Sequence, residues 1–164
     1  MAEDRLYEKA RKKAFRLLAL RGRSTSELRV KLKDGGFEEP VIQKVVSGLR
    51  ELQYLDDAVF AREWARNLAV NRLYGNRLID RSLQEKGIAR ELIKEAITQI
   101  REEIPERKAL RILLKKKLKD RKIADLDMKE KNRLAQSLMG KGFPADLIFY
   151  ALGNKEDEEL NERE

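Results

Sequence analysis

Apolar residues recur at intervals of three and four along almost the whole chain, which is the period of one helix face and not of a strand. In the first segment they are Leu6, Ala10, Ala14, Leu17 and Leu18. This single stripe predicts an amphipathic helix, stopped by Gly22. Ser24, Thr25, Ser26 and Glu27 then read as a helix start, with Glu27 three residues after Ser24 as in a capping box. A short helix with Leu28 and Leu32 inward runs to Gly35 and Gly36. Glu38, Glu39 and Pro40 open a third helix, because acids suit its first turn and proline is tolerated there. Val41, Ile42, Val45, Val46 and Leu49 form its core face.

The same grammar returns twice. Asp56 and Asp57 start a helix carrying Phe60, Ala61, Trp64 and Leu68; Gly75 punctuates it. Leu78, Ile79 and Leu83 lead to Gly87, and Leu92, Ile93, Ala96, Ile97 and Ile100 follow. Beyond Pro105 the third copy has Ala109, Leu110, Leu113 and Leu114, then Leu134 and Leu138, then Leu147, Ile148, Ala151 and Leu152. Gly36, Gly87 and Gly142, spaced 51 and 55 residues apart, align the copies. Four residues before each glycine stands Leu32, Leu83 or Leu138, and eight before stands Leu28, Ile79 or Leu134. One residue after stands Phe37, Ile88 or Phe143. Apolar positions matched around a matched glycine mark an internal repeat. The pattern predicts an all-α fold of three tandem three-helix repeats, 1–53, 54–104 and 105–153, in an elongated, curved array. Each repeat is too small to bury much alone, so stacked neighbours complete the core. Trp64 and Tyr54 read as core anchors. The charged joint from Asp120 to Asp127 is expected to be a mobile loop. Residues 154–164, with six acids and two bases, are expected to be a disordered acidic tail.

Composition narrows the function. Among 164 residues there is no Cys and no His, which excludes disulfides, thiol nucleophiles, Cys/His zinc sites and His-based triads. No apolar run of membrane-spanning length occurs, and the first residues are charged, so a cytoplasmic protein is expected. With 37 Lys and Arg against 29 Asp and Glu, the formal charge is +8 and suggests an anionic partner.

Gly140-Lys141-Gly142 lacks the spacing and the Ser/Thr of a phosphate-binding loop and reads as a helix-capping glycine. Asp56-Asp57 and the pair Asp125 and Asp127 read as helix N-caps and not as metal ligands. No enzyme activity, metal or cofactor is therefore expected. A glycine between second and third helices is reminiscent of a helix-turn-helix. The ends that would read bases carry acids instead, at Glu38-Glu39, Glu91 and Asp146, and phosphates would be repelled.

The first helices of the repeats differ. Arg5, Lys9, Lys12 and Arg16 share a face opposite the apolar stripe, and Lys108, Arg111, Lys115 and Lys119 repeat nearly the same spacing. The middle copy has Arg62 and Arg66, with Arg72, Arg77 and Arg81 nearby. One basic face is an ordinary solvated surface; its recurrence in an array suggests a binding strip. No aromatics interleave these bases in the sequence, so stacking on single-stranded bases is not signalled.

Tyr54-Leu55-Asp56-Asp57, Phe60-Ala61, Trp64, Gly75 and Leu83-Gln84-Glu85-Lys86-Gly87-Ile88 together resemble the signature of bacterial RecX regulatory proteins. Ser26-Glu27-Leu28, Leu32 and Gly36 add to it from the first repeat, and the resemblance spans about residues 7–152. Ser82 departs from it, standing where the family commonly has Glu before the Leu of the second helix, a change expected to affect a surface contact and to leave the assignment intact. The third copy matches less closely. The resemblance implies three tandem three-helix repeats. It also implies a non-enzymatic regulator that lies along the groove of the RecA–DNA filament; a monomer is expected. Such a regulator inhibits strand exchange and ATP hydrolysis by RecA, and so modulates recombination, DNA repair and the SOS response. Direct DNA contact is the open addition. The rival reading is a nucleic-acid-binding helical-repeat protein without sequence preference and without a protein target.

Overall fold

A computed structural model describes residues 2–153, and the acidic tail expected at 154–164 lies outside the described residues. The described residues hold α-helices and short helical turns and no strand. The first repeat is α1 (Ala2–Leu20), α2 (Thr25–Asp34) and α3 (Glu39–Glu51). The second is α4 (Asp57–Arg66), α5 (Asn76–Glu85) and α6 (Arg90–Glu103). The third is α7 (Glu106–Leu118), α8 (Met128–Gly140) and α9 (Ala145–Leu152). The chain forms two compact units. One comprises residues up to 63 with 83–96, the other 64–82 with residues from 97 onward, so the second repeat is shared between them.

In the first unit the predicted stripes meet. Ala10 and Ala14 of α1, Leu28 and Leu32 of α2, and Ile42, Val45, Val46 and Leu49 of α3 are buried in one cluster with Leu55. Burying such a Leu or Ile side chain contributes roughly 1.5–3 kcal/mol, which is why three short helices hold together. The stripe of α1 begins later than expected, because Leu6 is exposed. Tyr7 takes its place, half-buried with the Lys44 ammonium 4.8 Å from its ring.

Tyr54 is not a core anchor; it is 60% exposed, its ring set edge-on against Phe15 at 5.1 Å. The cause is the end of α3, where Gln53 adopts a left-handed backbone (φ 59°) and the Tyr54 N–H returns to the Leu49 carbonyl. That reversal turns Tyr54 outward and sends Leu55 into the core at 3% exposure.

In the second unit α4 continues into a π turn, Asn67–Asn71, that no periodicity announces. The widened turn points both Leu68 and Ala69 inward, and Leu73 follows them on a left-handed backbone (φ 53°). Trp64 is half-buried, with its indole N–H donating to Ser82 Oγ at 2.9 Å. Ser82 therefore supports the ring and is not a surface feature. Trp64→Ala is expected to destabilise the protein by about 2–4 kcal/mol, below the cost of removing a fully buried ring because this one is half-buried. Ser82→Ala should cost about 1 kcal/mol through the orphaned indole N–H. Urea unfolding of both variants checks the pair; an unchanged midpoint for Trp64→Ala would show that the ring carries no packing.

Successive repeats are joined by hydrogen bonds at matched places. The Ser24 hydroxyl donates to the Lys86 carbonyl at 2.5 Å, and at the equivalent position the Gly75 N–H donates to the Lys141 carbonyl at 2.8 Å. The Asp57 carboxylate accepts from the Thr25 N–H at 2.7 Å, and the Glu106 carboxylate accepts from the Asn76 N–H, also at 2.7 Å. In both cases the first residue of a repeat's first helix satisfies an unpaired N–H at the start of the previous repeat's middle helix, a position where negative charge is also favoured by the helix dipole.

The aspartates otherwise cap as expected. Asp56 accepts from the N–H groups of Ala58 and Val59, and Asp127 forms a capping box with Glu130 at the start of α8. The joint expected to be a mobile loop carries a short 3₁₀ turn, Ile123–Asp125, and buries Leu126.

Candidate functional site

The basic strips of α1 and α7 sit where the sequence places them on their helices, with Lys119 as the exception. Arg5, Lys9, Lys12 and Arg16 are all exposed along α1, opposite Ala10 and Ala14. On α7, Lys108 and Lys115 are exposed and Arg111 is half-buried. Lys119 has left the helix: it caps the C-terminus of α7 with φ 55° and ψ −111°, so it does not continue the helical line of the other three. In its stead the chain beyond α7 supplies the exposed Arg121 and Lys122, and Arg121 pairs with Glu130 at 2.8 Å. In the middle repeat Arg62, Arg66, Arg72, Arg77 and Arg81 are exposed, and Arg66 is paired with Glu103.

Two strong cation sites were not legible as such, and both are structural. Arg101 is half-buried and donates to the Asn76 side chain at 2.6 Å, the Tyr74 carbonyl at 2.8 Å and the Ile104 carbonyl at 3.2 Å. Burial lowers its pKa, and the opposing charge of Glu106 is the smaller effect. Glu27 of the predicted capping box also receives Arg21 at 2.8 Å and Lys86 at 2.7 Å. Burial pushes its carboxyl upward, but hydrogen bonds from Arg21, Lys86 and the Ser24 N–H, with the Lys86 charge, outweigh that and hold its pKa at about 2. The folded form thus has the lower pKa, so this carboxylate stabilises the protein above the ordinary value of about 4.5, and that contribution is lost as pH falls toward about 2. Glu27→Gln should flatten the loss of melting temperature between pH 4.5 and 2.5 relative to the native chain. An identical slope would mean that the network does not respond to the charge of Glu27.

The first unit also holds an open groove of about 580 Å³ with Phe15, Leu18, Ala19, Tyr54, Val59 and Phe60 among its lining. Arg23, Asp56 and Glu63 edge it. Asp56 is already committed to capping α4. Among the described residues there is no group of three or more metal-ligating side chains, and no helix is long and apolar enough to cross a membrane.

Comparison with known proteins places these features in a family. Models of the first, second and third RecX three-helix domains match residues 10–49, 56–97 and 106–152. A regulatory protein RecX from Mycobacterium sp. (strain JLS) is 32% identical over 151 residues, covering 90% of this chain and 82% of its own. One from Corynebacterium efficiens is 31% identical, covering 98% of this chain and 78% of its own. The crystal structure of RecX from Lactobacillus salivarius superposes with a TM-score of 0.78 at 23% identity, covering 94% of this chain and 98% of that one. Three matched domains, in order and over most of the length, leave one assignment: this chain belongs to the RecX family of regulatory proteins.

Proposed function

We propose that the protein is a non-enzymatic, cytoplasmic regulator that binds the RecA–DNA filament and inhibits RecA's recombinase and ATPase activities. It would thereby modulate recombination, DNA repair and the SOS response. The observation that carries the reading is the match of three consecutive domains to the RecX family, and the exposed basic faces of α1 and α7 suit an anionic partner surface. Repeats 1–53, 54–104 and 105–153 would each contribute modest contacts, and several contacts on one filament sum by avidity. A partner bridged across protomers loses the relative motion that ATP turnover and filament growth require.

The test is a RecA ATPase and strand-exchange assay with added protein. Dose-dependent inhibition of both is expected; unchanged rates at saturating protein would overturn the reading. The rival, a nucleic-acid-binding protein without a protein target, predicts tight and steeply salt-dependent binding to bare duplex DNA with no effect specific to RecA.

A further inference from the structure

The open groove of about 580 Å³ lies entirely within the first unit. The end of α1 supplies Phe15, Leu18 and Ala19, the turn after α3 supplies Tyr54, and α4 supplies Val59 and Phe60. The run Tyr54-Leu55-Asp56-Asp57 divides between fold and groove. Leu55 is in the core and Asp57 accepts from the Thr25 N–H, whereas Tyr54 and Asp56 line the groove. The apolar wall is accessible: Tyr54 is 60% exposed and Val59 38%.

The charges around the groove run against those of the chain. Two acids, Asp56 and Glu63, and one base, Arg23, line it, on a chain with a formal charge of +8. None of Arg5, Lys9, Lys12 and Arg16 is among its lining. Arg23 is half-buried, and its Nε–H donates to the Leu17 carbonyl at 3.2 Å. Arg11 lies 5.4 Å from the Phe15 ring and is matched by Glu8 at 3.7 Å. Asp56 is engaged in capping α4. Glu63 is exposed, and among the described residues none pairs with it. It stands four residues after Val59, so the two share a face of α4 with Cβ atoms about 5–6 Å apart. An unpartnered carboxylate thus stands one helical turn from an exposed apolar wall.

We propose that this groove binds a segment of a partner protein in which a lysine or arginine lies within one turn of a large apolar side chain. The apolar side chain rests against Phe15, Leu18 and Val59, with the Tyr54 ring adding exposed aromatic area, and the cation meets Glu63. Amphipathic segments dock in apolar grooves in this way. Charge selects the class of partner. Nucleic acid and anionic membranes bring phosphates to Asp56 and Glu63, and an acidic peptide brings carboxylates; like charges so placed suppress binding. A basic segment approaches against the field of the whole chain, so its capture comes from local charge. The inference concerns residues outside the basic strips and does not rest on the RecA reading.

The test is a phage-displayed library of random peptides of about twelve residues, three helical turns, selected on the immobilised native chain with RecA absent. The most enriched peptide is then synthesised with a fluorescent label and its affinity measured by anisotropy. Enriched sequences should carry Lys or Arg within one turn of Leu, Met, Phe or Trp. Glu63→Lys should weaken the peptide by about 10- to 100-fold, the scale of charge reversal at a complementary interface. Tyr54→Ala should weaken it by about 5- to 30-fold, the loss of one aromatic anchor. Glu102→Lys, exposed on α6 and outside the groove lining, changes net charge equally and should leave affinity unaltered. Circular dichroism confirms that each variant is folded. Enrichment of acidic peptides, or of no sequence at all, would overturn the proposal, as would equal losses for Glu63→Lys and Glu102→Lys. A dimer of the native chain that Glu63→Lys dissociates would assign the groove to a second copy and likewise overturn it. RecA is absent from every measurement, so failure here and failure of the RecA reading are distinguishable.

Discussion

Gly142→Ala is expected to destabilise the protein by about 3–5 kcal/mol, the sum of a left-handed alanine and an overpacked contact. Gly142 has φ +91°, and a Cβ there would stand 2.5 Å from the backbone nitrogen of Leu78. Backbone cannot rotate aside as a side chain can. The approach is mutual, because a Cβ on Gly75 would fall closer than 3.0 Å to the Gly142 carbonyl and the Phe143 nitrogen. Two hydrogen bonds hold the strands of backbone together there: the Gly75 N–H donates to the Lys141 carbonyl at 2.8 Å and the Arg77 N–H to the Gly142 carbonyl at 3.2 Å. The three matched glycines then form a graded series. Gly87 (φ +70°) would meet the Cβ and Oγ of Ser26 at 2.4 Å, of which rotation can move only the Oγ, and Gly36 (φ +83°) would meet nothing within 4 Å. Gly36→Ala should cost only about 1–2 kcal/mol, the price of the conformation alone, with Gly87→Ala between. Urea midpoints for the three variants measure the series. Equal losses at all three would show that close approach between repeats adds nothing beyond backbone strain.

That series also marks how far the sequence reaches. The glycines were legible as repeat anchors because a left-handed C-cap follows each middle helix. Their unequal burial was not, since it depends on whether a preceding repeat covers the turn. Leu28, Leu32, Ile42 and Val45 were legible for the same local reason: helical period puts them on one face. Tyr54 was misread because a single left-handed residue, Gln53, inverts the side on which the next ring emerges, and composition does not announce φ. The roles of Asp57 and Glu106 were half legible. Acids in a first turn point to helix capping, but each caps a helix of the preceding repeat, a partner that only tertiary packing supplies. At the candidate site the cations of α1 and α7 could be read from their spacing. The contact of Arg107 with the Tyr150 ring could not, because the whole of α8 intervenes between them.

The basic strips carry the second large effect. Lys9 and Lys12 on α1, and Lys108 and Lys115 on α7, are exposed and stand away from the buried Ala10, Ala14, Leu110 and Leu114. Reversing either pair to glutamate should leave the core alone, with stability changing by less than about 0.5 kcal/mol as for other surface substitutions. Arg111 is the poorer choice for such a test because it is half-buried, and Lys119 because its backbone is already left-handed. If these strips face an acidic filament surface or DNA phosphates, each reversal replaces attraction with repulsion. Two together should raise the concentration needed for half-inhibition of RecA ATP hydrolysis by about 10- to 100-fold at low salt, the scale of charge reversal at a complementary interface. Moderate salt should narrow the gap between variant and native chain, since screening weakens both the lost attraction and the new repulsion. The α1 and α7 doubles should act in the same direction, and their combination should exceed either, because contacts from separate repeats multiply in one bound complex. Arg66→Glu is the control from the middle repeat: Arg66 is already paired with Glu103, so its reversal should weaken inhibition less than either double. Native inhibition by both doubles, with unchanged melting temperatures, would place the filament contact elsewhere and return the strips to solvated helix faces.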